Sequence, residues 1–189
     1  MNDPTAYFPE LAAVLQRTEA SLADRKSASL AEGLEAAIRL VTEQTRAGRK
    51  VIFIGNGGSA AIASHQAVDY WKNGGMRAIA FNDSSLLTCI SNDYGYQHVF
   101  EKPIEMFAER GDVLIAISSS GRSDNILRGC KAGQAGGCRL ITLSGFNPDN
   151  ALRSMGLVNF YVPSHSYGHV EIAHLALSHC IVDTIIHRA

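Results

Sequence analysis

The sequence predicts an α/β fold: a doubly wound, five-stranded parallel sheet flanked by helices, preceded by an N-terminal helical extension. Three observations carry that prediction. Five short runs are continuously apolar rather than alternating, the pattern of strands buried on both faces. Helical segments separate them, as crossovers between parallel strands require. Two of the strands run directly into loops of glycine or serine, and in such sheets the ligand crevice lies outside the carboxyl ends of the strands.

The elements follow in chain order. Residues 5–47 read as helix in two pieces: Leu30, Leu34, Ile38 and Val41 form one buried stripe, and Gly48 supplies the stop. "VIFI" (51–54) is the first strand, followed by a glycine loop and a helix from Ser59. "RAIAF" (77–81) is the second, with helical material through "SLLTCIS" and another helix over 97–108, where Pro103 marks a start or a kink. "DVLIAIS" (112–118) is the third, and a helix begins near Ser123. "RLITLS" (139–144) and "VNFYVP" (158–163) are the fourth and fifth, and a long helix over 168–187 closes the chain. The 189 residues suit a single domain. Within it, 1–48 are helices available for contacts between copies and 49–189 are the α/β core.

Composition narrows the function. Apolar residues make up 46% of the chain and the net charge is −1, which offers no broad basic footprint for nucleic acid. No stretch reaches the apolar length of a membrane span, and "MNDPTAYFPE" lacks the basic start and apolar middle of a signal peptide, so a cytoplasmic protein with no membrane partner is expected. Cys89, Cys130, Cys138 and Cys180 are widely spaced with no C-x-x-C pair, and are expected to be free, buried thiols in a reducing compartment.

Two loops suit a phosphate. "GNGGS" (55–59) joins the first strand to its helix; glycines admit a close ligand, and the helix N-terminus offers unpaired N–H groups. Gly55-x-Gly57-x-x-Ala60 also matches a dinucleotide pattern, and many such turns carry glycine for geometry alone. "SSSGRSDN" (118–125) places Ser118, Ser119, Ser120 and Ser123 around a turn into a helix. One serine caps a helix; four hydroxyls beside helix N–H groups cradle a dianion. No G-x-x-x-x-G-K-[ST] is present, so a small sugar phosphate fits better than a nucleoside triphosphate. His65 and Asp69, at i and i+4, share a helix face and suit a metal or a proton transfer. Glu171, His174 and His179 lie close together on the last helix; His98, His165, His169 and His187 read as surface residues.

"GNGGSA", "SNDYGY" (91–96) and "ISSSGRS" (117–123), with the histidine-bearing last helix, resemble the sugar isomerase (SIS) domain family over nearly the whole chain. Within it the chain looks most like the phosphoheptose isomerases. The resemblance implies a substrate site lined by Asn56, Gly57, Gly58, Ser59, Asn92, Asp93, Ser118, Ser119, Ser120, Ser123 and Glu171. It implies one zinc ion per subunit at His65, Asp69, Glu171 and His179, with Asp69 and His179 also moving protons. It implies a homotetramer with shared active sites. Two positions depart from the family pattern: Asp69 stands where the family has Glu, and Glu171 where it has Gln. Imidazole nitrogen and carboxylate oxygen remain ordinary zinc ligands. Glu171 and His179 are separated by about 12 Å along a straight helix, so they share an ion only if their side chains lean together or the helix bends; His174 is the fallback.

The expected reaction is aldose–ketose isomerisation of sedoheptulose 7-phosphate to a heptose 7-phosphate through an enediol. Alternatives are the same chemistry on another ketose phosphate, or a non-catalytic binding or regulatory protein on the same fold. A nicotinamide-dependent oxidoreductase ranks last, because it leaves the serine loop unused.

Overall fold

The computed structural model describes residues 3–189. The five parallel strands stand where the apolar runs place them: β3 (Val51–Gly55), β4 (Ala78–Ala80), β5 (Val113–Ser118), β6 (Arg139–Gly145) and β7 (Val158–Val162). Two further strands precede them, β1 (Glu19–Leu22) and β2 (Ser27–Ala28). The sheet therefore has seven strands in the order β2-β1-β7-β6-β5-β3-β4. β3 to β7 pair in parallel, whereas β1 runs antiparallel to β7 and β2 antiparallel to β1.

The hairpin corrects the all-helical reading of residues 5–47. Helices α1 (Tyr7–Gln16) and α2 (Leu30–Arg46) are present, but the stretch between them turns into the sheet. Its backbone pairs Glu19 to Leu22 with the edge of β7, whose N–H and C=O groups would otherwise stay open. α2 begins where its residues dictate. Ser29 accepts the Glu32 N–H at 3.2 Å while the Glu32 carboxylate takes the Ser29 N–H at 2.8 Å, a reciprocal capping pair.

Both sheet faces are covered. Val51 and Phe53 of β3 pack with α1, α2, α3 (Gly58–Lys72) and α7 (Tyr167–Arg188). Ile52 and Ile54 point the other way, into a core with α4 (Ser84–Tyr94), α5 (Glu101–Phe107) and α6 (Asp124–Ala135). This alternation onto two apolar layers explains why each strand reads as one unbroken apolar run.

α7 is long and apolar enough to cross a membrane, with 22 residues and a mean hydropathy of 1.2 over its best window. The expectation that no stretch reaches that length is corrected. Here Val170, Ala173, Leu177, Ile181 and Val182 are buried in the core, so its hydropathy is that of a central helix. Cys130 and Cys138 are buried as expected, but Cys89 and Cys180 are exposed; all four thiols are free.

Candidate active site

The site forms at the carboxyl end of the parallel strands. β3 and β5 are neighbours in register, with Gly55 opposite Ile117, so the loops that follow them lie side by side. The first loop turns into α3, where Ser59 is buried in the first turn. Gly58 is required by a close approach: a Cβ there would fall 2.4 to 2.5 Å from the carboxylate atoms of Glu171. The Glu171 side chain therefore rests on the first turn of α3, where unpaired N–H groups favour an anion.

In the second loop Ser118 and Ser119 are buried and Ser120 is half-buried. The Ser118 hydroxyl accepts the Gly121 N–H at 3.2 Å, and the Ser120 hydroxyl accepts the Arg122 N–H at 3.3 Å. Ser123 occupies the N-cap of α6, yet its hydroxyl makes no capping bond to its own helix. Gly121 adopts φ +59° against the buried Asn150.

A third group sits on the sides of α3 and α7 that face each other. Nε2 of His65 lies 3.2 Å from Oδ2 of Asp69, Nδ1 of His179 lies 3.7 Å from the same oxygen, and the two imidazole rings are 5.4 Å apart. One donor atom from each residue lies within 4.8 Å of the others. Two imidazoles and a carboxylate converging this way suit a divalent ion such as zinc, and three protein ligands leave a position open for substrate, as in catalytic sites.

Not every expected residue joins these groups. α7 runs unbroken through both Glu171 and His179, so the helical rise separates them; Glu171 lies at the glycine loop and His179 at the Asp69 carboxylate. His174, the fallback ligand, is fully buried and its Nε2–H donates to the Ser144 carbonyl at 3.1 Å. His169 is buried against Tyr7 rather than on the surface, their rings 4.6 Å apart. Asn92 and Asp93 are exposed on the last turn of α4, where the Asn92 amide donates to Asp93 at 2.8 Å. From that segment it is Tyr96 that reaches the glycine loop, donating its hydroxyl hydrogen to Oδ1 of Asn56 at 3.0 Å. Asn125 meets the same Asn56 side chain through two bonds of 2.9 Å. Tyr96 and Asn125 escaped the sequence reading, although each lies in a quoted motif, because nothing in the chain order brings them to Asn56.

Burial lowers the pKa of His174 to about 4, because the interior disfavours the imidazolium. The unfolded chain, near 6.5, then binds more protons between these two values, so stability falls as pH drops from 6.5 towards 4. The loss attributable to this group is roughly 3 kcal/mol. His174→Asn should flatten the pH dependence of denaturant unfolding over that window by close to one proton. An unchanged slope would show that His174 is not held neutral.

Residues 7–145 match the SIS domain family. The chain belongs to that family, in its phosphoheptose isomerase branch. The SIS chain is 36% identical over 163 residues to a phosphoheptose isomerase of Aliarcobacter butzleri, covering 83% of this chain and 86% of that one. It is 34% identical to the phosphoheptose isomerase of Geobacter sulfurreducens, covering 100% of this chain and 98% of that one. Its fold superposes on phosphoheptose isomerase GmhA from Neisseria gonorrhoeae with a TM-score of 0.82 at 32% identity, covering 96% of both chains. The Vibrio vulnificus NanR protein, solved with ManNAc-6P, shares the SIS fold at a TM-score of 0.68 and 16% identity, over 97% of this chain and 60% of that one. That likeness is one of fold alone.

Proposed function

We propose that this chain is a phosphosugar aldose–ketose isomerase that converts sedoheptulose 7-phosphate to a D-glycero-D-manno-heptose 7-phosphate. The observation that carries the reading is the convergence of His65, Asp69 and His179 across α3 and α7, in a chain whose β5 runs directly into a serine loop suited to phosphate. The 7-phosphate lies five carbons beyond the carbonyl carbon, so one end can be anchored while the other reacts. Ser118, Ser119, Ser120 and Ser123, with the N-terminus of α6, would hold the phosphate.

Isomerisation moves one proton between C1 and C2 through an enediol, and needs a base, an acid and a counter-charge for the developing oxyanion. Asp69 serves as the base and His179 as the acid that completes the transfer. Asn56 and the glycine-loop N–H groups orient the sugar, and Glu171, resting on the α3 N-terminus, contacts its hydroxyls. Zinc, held by His65, Asp69 and His179, would polarise the carbonyl when bound.

We place the enzyme in the cytoplasm, in keeping with four free thiols. We further propose a homotetramer with sites shared between copies. Its support is the exposure of Phe8 on α1, Val68 and Trp71 on α3 and Ile172 on α7. Light scattering at micromolar concentration should give a mass near four chains, and a fully active monomer would refute the assembly.

The function itself is tested by turnover of a panel of ketose phosphates, with metal analysis of the same preparation. Sedoheptulose 7-phosphate should be the best substrate, with about one zinc per chain. A folded, oligomeric protein inert on every ketose phosphate would favour a binding role instead.

A further inference from the structure

Asn56 is the meeting point of three segments that chain order keeps apart. Its Nδ2–H donates to Oδ1 of Asn125 at 2.9 Å, and Nδ2–H of Asn125 donates back to Oδ1 of Asn56 at 2.9 Å. The Tyr96 hydroxyl donates to Oδ1 of Asn56 as well. Asn125 is 2% exposed, and its own Oδ1 also accepts the Ile126 N–H at 2.9 Å.

These bonds leave little freedom. The Ile126 N–H must meet an oxygen, which fixes which way the Asn125 amide faces. Asn125 in turn fixes Asn56, because each amide offers the other one donor and one acceptor. Oδ1 of Asn56 then has both lone pairs engaged, and one hydrogen on its Nδ2 is committed to Asn125. A single N–H donor remains on Asn56.

We propose that Asn125 is a positioning residue. It locks Asn56 so that the glycine loop presents an N–H donor, never an acceptor, to an oxygen of the bound sugar phosphate, and it ties that loop to the serine loop. The inference rests on the sugar-phosphate reading of the site. Asn125 itself touches no substrate in this arrangement; it acts through Asn56. An Asn56 released from its partner would spend part of its time with oxygen where the donor belongs, and the two loops would lose their side-chain tie.

The test is a double-mutant cycle of Asn125→Ala and Asn56→Ala, read in KM and kcat for sedoheptulose 7-phosphate, with thermal midpoints recorded for each variant. In the wild-type background Asn125→Ala should lower kcat/KM by about 3- to 10-fold, the worth of one hydrogen bond, mainly through KM. In the Asn56→Ala background the same change should do nothing further. An equal loss in both backgrounds would assign Asn125 a purely structural role and overturn the proposal, as would no loss in the wild-type background. Asn125→Ser keeps a polar group beside the Ile126 N–H and supplies the same cycle if the alanine variant does not fold. A wild type that binds sedoheptulose 7-phosphate without turning it over would overturn the isomerase reading alone, and the cycle is then read in dissociation constants. A wild type that neither binds nor converts it would overturn both.

Discussion

His179→Ala should abolish isomerisation while leaving the fold intact. The imidazole stands across from Asp69 on a part of α7 that is only half-buried, so its removal takes little from the core. Loss of a proton-transfer group costs about 10²- to 10⁴-fold in rate, and loss of a metal ligand adds to that. Asp69→Asn should behave alike. The amide keeps the shape but cannot take a proton, and it withdraws the carboxylate that both imidazoles approach, at 3.2 and 3.7 Å. Turnover, zinc content and thermal midpoint of each variant form the measurement. Wild-type turnover in both would place the chemistry on other residues.

Gly121→Ala should damage both stability and substrate affinity. Its φ of +59° disfavours any residue with a Cβ, by about 1–2 kcal/mol. The added Cβ would also sit 2.0 Å from Oδ1 of Asn150, which is 3% exposed and cannot simply swing away. Asn150 donates to Ser144, Gly145 and Asn147 and accepts from Arg153, so moving it breaks bonds worth about 1 kcal/mol each. The expected loss is roughly 3 kcal/mol or more, a fall in thermal midpoint of about 6–12 °C. Because Gly121 sits inside the serine loop, KM for the sugar phosphate should rise by at least about 10-fold. An unchanged KM with lowered stability would move the phosphate away from this loop.

Much of this protein is legible in its residue order. The five parallel strands are visible because each is buried on two faces and so needs an unbroken apolar run. The two loops are visible because glycine and serine cluster at strand ends where geometry alone does not require so many. His65 and Asp69 are visible because four residues make one helical turn, a purely local relation. The β1–β2 hairpin is not visible. It is short and half-exposed, and its strand state comes from pairing with β7, more than a hundred residues away, rather than from its own periodicity. The destinations of Glu171 and His174 are also tertiary. Both sit on the predicted helix, but only the packing of α7 on α3 and on the end of β6 sets Glu171 over Gly58 and buries His174 under the Ser144 carbonyl.

The α/β class, the two loops and the local His65–Asp69 pair follow from residue order, because they depend on burial pattern and on spacing within one turn. Packing between elements sets the 3.7 Å approach of His179 to Asp69, holds Glu171 apart from them at Gly58, and brings Asn125 and Tyr96 together at Asn56. Those are contacts between separate elements, and their distances are fixed by how helices seat on the sheet, a property that no local run of residues encodes.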